Sequence, residues 1–348
     1  MIKYLGSKRT LIPTLTTLAK ASGAVTALDL FTGTTRVARA FKSLGINVIA
    51  ADIASYSEIF AKTWIELDSG DIDEGDLTEA LLELSALPGE PGYFTKTFCI
   101  DARFFQPENG ARVDSMRAKI ETDYRETNLY FPLLTALILA ADRVDSTTGL
   151  QMAFLKTWAR RSFNNLEMRD PGLMAGPGLA VRGDALELAH LLPEVELAYL
   201  DPPYNQHRYF SNYHIWESLV RWDKPETYGI ANKRLDARSV ENKSPFNSKK
   251  TMPAAIEKLI SDVNAQTMVL SYNNESWLSK DDLIAMCETR GHVEVVDVDF
   301  KRYVGSQIGV YNKKGLRVGT PGARRNVEHI VIAGDKELVK KMAASVQE

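Results

Sequence analysis

The chain has 348 residues, 45% of them hydrophobic and 25% charged, and its 42 basic and 45 acidic side chains give a net charge of −3. This composition is typical of a folded protein with one large domain and insertions, and it excludes a disordered chain. No run reaches the ~20 apolar residues that a membrane helix needs, and the N-terminus lacks the pattern of a signal peptide. We therefore predict a cytoplasmic protein with no membrane partner.

Cysteine usage and charge distribution narrow the function further. The two cysteines, Cys99 and Cys287, stand far apart, which excludes a disulfide framework and a thiolate zinc site, and we predict no metal site. Residues 63–95 contain no Lys or Arg, whereas residues 301–325 contain seven basic residues. That basic stretch is either a solvated loop or a nucleic-acid contact, and charge alone leaves both readings open.

Apolar and alternating runs predict the strands, and periodic segments between them predict helices. The predicted strands are residues 25–31, 46–52, 179–182, 197–200, 268–272, 292–298 and 327–332. A helical pattern at 37–44 lies between the first two strands, and the three segments together predict a βαβ unit. Strands that alternate with helices predict an α/β fold with a doubly wound sheet that binds ligands at the carboxyl ends of its strands. No helical pattern separates the last two strands, so we expect them to pair antiparallel at one edge.

Two insertions interrupt this pattern. Residues 61–177 are a predicted helical insertion with helices at 108–121, 133–144 and 152–161. Residues 205–252 are a second insertion, rich in aromatic and basic side chains. The remaining core would comprise residues 1–60, 178–204 and 253–348.

The first chemical signal is a glycine turn between the first strand and its helix. Asp29 ends the strand and Gly33 lies in the turn, where a glycine lets the backbone approach a ligand closely. Such a turn is common in α/β proteins and is weak by itself. Asp52 strengthens it, because an acid at the end of the second strand can accept hydrogen bonds from ribose hydroxyls. The pair suggests an adenosine-containing ligand, although a dinucleotide fingerprint is absent.

The second signal is Asp201-Pro202-Pro203-Tyr204, directly after a buried strand. Consecutive prolines cannot continue a parallel strand, and they fix a rigid extended turn. This turn places a carboxylate, a carbonyl and an aromatic ring at the carboxyl end of the strand. The two oxygens can accept both hydrogens of an amino group, and the ring can stack on the base that carries it.

With these motifs in this order, the chain resembles the alpha class of Dam-like adenine-specific DNA methyltransferases, whose tetrapeptide is Asp-Pro-Pro-Tyr and whose cofactor is S-adenosylmethionine. Residues 3–8, Lys-Tyr-Leu-Gly-Ser-Lys, are similar to the cofactor-binding opening of that family. The resemblance spans nearly the whole chain and implies a Rossmann-like methyltransferase sheet. One departure is Thr35, where many relatives have a second glycine.

The resemblance also implies roles for individual residues. Asp52 would hold the ribose, Lys8 the cofactor carboxylate, and Asp184 the cofactor adenine, although Asp184 suits a helix N-cap equally well. The implied cofactor-binding set is Tyr4, Lys8, Asp29, Phe31, Gly33, Asp52 and Asp184, and the catalytic set is Asp201, Pro202, Pro203 and Tyr204.

The expected substrate is an adenine in double-stranded DNA, flipped out of the helix so that Tyr204 can stack on it. Residues 209–214 resemble the mobile loop that the family places over the base. Basic residues would hold the flanking phosphates. The candidate DNA contacts are Tyr213, Lys233, Arg234, Lys249, Lys250, Arg324 and Arg325. A cognate restriction endonuclease is a possible partner, and a monomer is slightly favoured.

Two other function classes stay open on the sequence. The first is methylation of an amino group on RNA or on a protein glutamine, since related Pro-Pro-aromatic tetrapeptides serve those substrates. The second is a catalytically silent DNA-binding module that keeps the cofactor as a structural ligand. The intact Asp201 and Tyr204 count against the silent module.

Overall fold

The computed structural model describes residues 2–206, 208–239, 242–301 and 325–347. Within these ranges the α-helices are α1 Ile12–Ser22, α2 Arg36–Lys42, α3 Ser55–Ala61, α4 Glu74–Ala86, α5 Tyr93–Thr95, α6 Pro107–Asp123, α7 Tyr130–Arg143, α8 Ala185–Leu191, α9 Tyr209–Asn212, α10 His214–Arg221, α11 Met252–Asp262, α12 Lys280–Cys287 and α13 Lys336–Ala344. None of these helices has the length and apolar character that crossing a membrane requires.

The strands in the same ranges are β1 Thr26–Asp29, β2 Asn47–Asp52, β3 Gly178–Arg182, β4 Val195–Leu200, β5 Thr227–Tyr228, β6 Lys233–Arg234, β7 Ala265–Asn273, β8 His292–Lys301 and β9 Arg325–Gly334. Seven of them form one sheet in the order β3-β2-β1-β4-β7-β9-β8, and β5 and β6 form a separate hairpin. The α/β class and the mostly parallel sheet predicted from the sequence are confirmed.

The antiparallel pair predicted for the end of the chain is confirmed as well. β9 runs antiparallel to both neighbours, from Met268↔Ala333 against β7 and from His292↔Gly334 against β8. β8 therefore forms the outer edge of the sheet. β4 and β7 pair in parallel, and their residues are buried almost continuously, which is the pattern of strands that are covered on both faces.

The chain divides into two compact units. The first comprises Met1–Lys8, Leu28–Leu188 and His207–Ser244, and the second comprises Arg9–Ala27, Ala189–Gln206 and Pro245–Glu348. The first contains β2, β3 and the helices α2 to α7, and the second contains β4, β7, β8 and β9. The division into a core and two insertions stays a prediction.

The helical part of the first unit follows the sequence pattern in two places and departs from it in a third. The helices predicted at 108–121 and 133–144 are confirmed as α6 and α7. The helix predicted at 152–161 is wrong, because only a 3-10 turn, Arg160–Phe163, forms there. The Ala159 N–H, which a helix over 152–161 would bond to Leu155 O, donates instead to Ser146 Oγ at 3.0 Å. Leu155 N donates to Ser146 O at 2.9 Å, so contacts with Ser146 hold this segment in place of helical hydrogen bonds.

A close approach at the start of β3 gives a test of packing. A Cβ atom on Gly178 would lie 2.3 Å from the backbone oxygen of Ile65, so Gly178→Ala should lower the free energy of unfolding by roughly 1–3 kcal/mol through overpacking. Chemical denaturation measures the change. Gly70→Ala, whose Cβ would meet only a side chain at 3.5 Å, is the control and should change the free energy much less. Equal effects in the two variants would contradict the expectation.

Candidate active site

The glycine turn after β1 is held by the carboxylate of Asp52, at the end of β2. Gly33 has a φ of +50°, and its N–H donates to Asp52 Oδ2 at 2.8 Å. Asp52 Oδ1 accepts the N–H of Ala54 at 2.9 Å. Burial raises the pKa of Asp52, while these backbone donors act in the opposite direction. One carboxylate thus joins the turns that follow two strands, and it keeps acceptor positions for a further ligand.

The other acid of this turn, Asp29, lies deeper. It is buried, and its Oδ2 accepts hydrogen bonds from Thr32 Oγ1 and from the N–H of Ala38, each at 3.1 Å. Thr35 follows with a φ of +59°, a left-handed conformation that is costly for a β-branched residue. A glycine would adopt this φ at no steric cost, which explains why glycine suits position 35, where this chain has threonine.

Tyr4 covers the glycine turn and belongs to a cluster of four tyrosines. A Cβ on Gly33 would lie 3.1 Å from the Tyr4 ring, a tight contact at a residue whose positive φ also favours glycine. The Tyr4 ring stacks on Tyr213 with centroids 4.7 Å apart and on Tyr209 at 5.4 Å, and its hydroxyl lies 3.3 Å from that of Tyr56. Burial raises the pKa of Tyr4 well above its ordinary value, so the phenol stays protonated.

Lys3, which the sequence analysis did not single out, anchors this N-terminal segment. Its Nζ lies 2.9 Å from Asp142 Oδ2 and 3.3 Å from Asp145 Oδ1, and both acids are almost fully buried. Asp145 also binds Arg161, at 2.6 Å. Lys8, at the other end of the segment, is itself buried. The segment is therefore anchored just before Tyr4 by two acids of the first unit.

The two remaining cofactor-binding candidates lie near these turns. Phe31 is half-exposed in the turn after β1. Asp184 follows β3, where the N–H of Gly183 donates to the backbone oxygen of Asp52 at 3.1 Å. Asp184 Oδ1 accepts the N–H of Leu186 at 2.8 Å, the geometry of a helix cap at the start of α8. A capping role is thus present, and a cofactor contact for Asp184 stays a prediction.

The tetrapeptide 201–204 belongs to the second unit and begins where β4 ends. Leu200 pairs with Leu270 of β7, so Asp201 follows at the carboxyl end of two parallel strands. Pro202 is buried, and the ring of Tyr204 contacts that of Tyr272 edge to face with centroids 6.1 Å apart. Asn247 Nδ2 donates to Asn205 O at 2.8 Å, which holds the chain just beyond the tetrapeptide.

The neighbouring strand carries a cluster of buried polar side chains that no sequence pattern indicated. Ser271 of β7 donates to Glu328 Oε1 of β9 at 2.6 Å, and Asn273 Nδ2 lies 3.3 Å from Glu328 Oε2. All three side chains are buried. The carboxyl end of β7, beside the tetrapeptide, is therefore polar and fixed by charge-assisted hydrogen bonds.

Comparison with known proteins then decides the family. The family model of the D12 class N6 adenine-specific DNA methyltransferases matches residues 4–286. The chain belongs to this family. The match includes the glycine turn, Asp52 and the tetrapeptide, and it confirms the family predicted from them.

Curated relatives agree with this assignment. The chain is 31% identical over 297 residues to type II methyltransferase M.NlaIII of Neisseria lactamica, which covers 82% of the chain and 86% of that protein. It is 30% identical over 329 residues to modification methylase StsI of Streptococcus sanguinis, covering 88% of the chain and 50% of that protein. It is 26% identical over 325 residues to type II methyltransferase M.FokI of Planomicrobium okeanokoites, covering 87% and 50%. The chain thus spans about half the length of the last two enzymes.

Two of the candidate DNA contacts, Tyr213 and Arg234, are buried in the structure. Tyr213 is 1% exposed and packs in the tyrosine cluster. Arg234 is also 1% exposed, and its guanidinium binds Asp223 at 2.6 Å and Asp236 at 2.8 Å. Both side chains are buried and already bound to partners within the first unit, so neither is accessible to a phosphate in this structure.

The other candidate contacts differ in accessibility. Lys233 is half-buried on β6, whereas Lys249 and Lys250 are exposed in the turn before α11. Arg324 lies outside the described residues, and Arg325 begins β9 with its side chain likewise outside the description. Lys249 and Lys250 are therefore the described candidates that fit a phosphate contact best.

The buried arginine gives a test that separates folding from DNA binding. Arg234→Ala should lower the free energy of unfolding by on the order of 2 kcal/mol, since Asp223 and Asp236 lose a shared partner. Arg221 lies near both acids and limits the loss. The salt dependence of duplex binding should not change. Lys243→Ala, at an exposed cation of the same segment, is the control for stability. A smaller salt slope with unchanged stability would make Arg234 a phosphate contact after all.

Proposed function

We propose that this chain transfers a methyl group from S-adenosylmethionine to the N6 amino group of a flipped-out adenine at a specific site in duplex DNA. The observation that carries the proposal is Asp201-Pro202-Pro203-Tyr204 at the carboxyl end of β4, in a chain of the adenine-specific family. A methyl donor follows from membership of a methyltransferase family, and the choice of S-adenosylmethionine rests on the residues of the first unit.

Those residues fit that cofactor chemically. The half-buried Asp52 keeps acceptor capacity for ribose hydroxyls, and Gly33 leaves no side chain in the turn below Tyr4. When bound, S-adenosylmethionine would supply a sulfonium methyl group that a nitrogen lone pair can attack. Tyr4, Lys8, Asp29, Phe31 and Gly33 would bind and orient it, with the Lys8 ammonium suited to its carboxylate.

The second unit would hold the target amine. The lone pair of an adenine amino group is delocalised into the ring, so the nitrogen is a poor nucleophile. The Asp201 carboxylate and the Pro202 carbonyl would accept its two hydrogens and draw the nitrogen toward a tetrahedral shape, which frees the lone pair. Tyr204, held against Tyr272, would stack on the flipped base. Pro203 keeps the turn rigid, so the alignment would persist during attack.

Base flipping costs a few kcal/mol of unstacking, and phosphate contacts would offset this cost. Lys249 and Lys250 lie exposed in the second unit, on the same segment of chain as Asn247, which binds the residue after the tetrapeptide. These cations would therefore contact phosphates near the target base.

The names of the relatives suggest a biological setting. M.NlaIII and M.FokI are type II methyltransferases, and StsI is a modification methylase. We accordingly propose that this chain protects DNA from a cognate restriction endonuclease and acts as a monomer. A transfer assay with labelled cofactor on duplex DNA, single-stranded DNA and RNA, followed by sequencing of methylated adenine, tests the substrate and its site together. Transfer to RNA alone would support the RNA-modifying alternative, and binding without transfer would support the silent module.

Two acids should show opposite kinetic profiles. Asp201→Ala should abolish transfer and leave the affinity for S-adenosylhomocysteine nearly unchanged, because this carboxylate would face the amine. Asp52→Ala should weaken cofactor affinity by about 1.5–3 kcal/mol, the value of a charge-assisted hydrogen bond, with a smaller effect on turnover at saturation. Calorimetry and single-turnover kinetics separate the two effects. Near-normal turnover in Asp201→Ala would refute the proposed mechanism.

Exposed lysines should contribute through the salt dependence of binding. Replacing Lys249 and Lys250 with Ala should weaken binding to all duplexes about equally and lower the slope of log affinity against log salt by roughly one per lost contact. Lys340 and Lys341, an exposed pair on α13 of the same unit, provide the control substitution. If the methylated sequence changed while the salt slope stayed constant, the two lysines would be sequence readers instead.

A further inference from the structure

The segment 213–217, which runs into α10, places two buried polar side chains against residues next to the turns at Gly33 and Asp52. These turns form the proposed cofactor half of the first unit. Tyr213 directly precedes α10, and Glu217 lies four residues later, so both side chains are on one face. Each is 1% exposed. Neither belongs to the residues that the motifs pointed to as cofactor ligands, and the sequence analysis placed Tyr213 on DNA.

Tyr213 acts on the N-terminal segment. Its hydroxyl accepts the N–H of Leu5 at 2.6 Å, and its ring stacks on Tyr4 with an interplanar angle of 18°. Leu5 and Tyr4 lie between the anchor at Lys3 and the buried Lys8. The tyrosine therefore fixes both the backbone and the ring that covers the glycine turn.

Glu217 acts on the turn after β2. Its Oε1 accepts the N–H of Ser55 at 2.7 Å, and Ser55 begins α3 directly after Ala54, which binds the Asp52 carboxylate. Ser55 Oγ in turn accepts a hydrogen bond from Arg182 at 2.9 Å. Burial raises the pKa of Glu217, and the hydrogen bonds from Ser55 oppose that shift. A carboxylate at this depth is costly unless it is satisfied, and Ser55 supplies the donor.

The helix that carries these groups is itself held at both ends. At its start, Gln151 Oε1 accepts the N–H of Ile215 at 2.8 Å. At its end, the buried Arg117 donates to Leu219 O at 2.8 Å and to Val220 O at 2.9 Å, and so satisfies carbonyl groups that a helix terminus leaves open. α10 is therefore a fixed support, so a change at Tyr213 or Glu217 would act on the cofactor turns while the helix stays in place.

We propose that Tyr213 and Glu217 are positioning residues of the cofactor pocket, which set the places of Tyr4 and Asp52 through the backbone of Leu5 and Ser55. This inference rests on the proposed function, because it takes the turns at Gly33 and Asp52 as the cofactor-binding half. It assigns to α10 a role in cofactor affinity that differs from a contact with DNA.

The experiment compares Tyr213→Phe, Glu217→Ala and Glu217→Gln in the full-length chain. S-adenosylhomocysteine affinity is measured by calorimetry, duplex binding is measured without cofactor, and transfer kinetics give KM and kcat. Tyr213→Phe and Glu217→Ala should each raise the Kd for S-adenosylhomocysteine and the KM for S-adenosylmethionine about 3- to 10-fold, the effect of one lost hydrogen bond. kcat at saturation and duplex affinity should change less than about twofold. Glu217→Gln keeps an acceptor oxygen and should restore most of the affinity.

Tyr124→Phe is the matched control. It removes a hydroxyl that donates to Glu83 at 2.5 Å in an exposed part of the same unit, so cofactor affinity should not change. The proposal is overturned if Tyr213→Phe and Glu217→Ala bind S-adenosylhomocysteine as the unaltered chain does, even where thermal stability falls. It is equally overturned if duplex affinity drops with cofactor affinity intact, because that result would make Tyr213 a DNA contact.

Failure of the proposed function looks different. If the unaltered chain binds no S-adenosylhomocysteine, the cofactor assignment fails and the positioning role falls with it. If the unaltered chain binds and the variants bind equally well, only the positioning role fails. Should Glu217→Ala fail to fold, Tyr213→Phe still decides the question, since it removes a single hydroxyl, and an unchanged S-adenosylhomocysteine affinity in that variant overturns the proposal.

Discussion

The proposed cofactor half of this D12-family protein depends on one carboxylate. Asp52 binds the amide of Gly33 with one oxygen and that of Ala54 with the other, so the turns after β1 and β2 are held by a single group. Burial makes the group costly to ionise, and the backbone donors compensate for the lost water. The close approach of Tyr4 to Gly33 and the placement of Ser55 both require these turns to stay where Asp52 holds them.

Around the Asp52 carboxylate, buried polar groups of the first unit form hydrogen bonds and ion pairs with partners that are distant in sequence. Leu5 binds Tyr213, Ser55 binds Glu217, and Lys3 lies between Asp142 and Asp145. Each contact replaces hydration that the group loses on folding. The second unit uses the same principle on a smaller scale, where Ser271 and Asn273 share the buried carboxylate of Glu328. The motif residues are thus positioned by polar contacts from residues that belong to no recognisable motif.

This division explains what the sequence could predict. The strands, the antiparallel pair at the end and the tetrapeptide follow from local patterns, since alternation, proline pairs and glycine turns act over a few residues. Arg234 and Tyr213 were predicted as DNA contacts because their residue types suit that role, whereas the packing gives them Asp223 and Leu5 as buried partners. The helix predicted at 152–161 is wrong for a similar reason, because Ser146, outside that segment, accepts the N–H groups of Leu155 and Ala159. The strand ends at which the motifs lie could be predicted from the sequence, but the distant residues that hold the motifs in place could not.

The family resemblance ends at residue 286, whereas the sheet continues through β8 and β9. β9 pairs with β7 from Met268 to Asn273, along the strand that flanks the tetrapeptide. A fragment cut at the limit of the family model would leave the N–H and C=O groups of β7 open along a long apolar edge, a template for pairing with other chains. It would also remove Glu328, and with it the partner of Ser271. For recombinant expression, the boundary of the shared sequence is therefore not a boundary of folding, and the last two strands have to be included with the strands that flank the tetrapeptide.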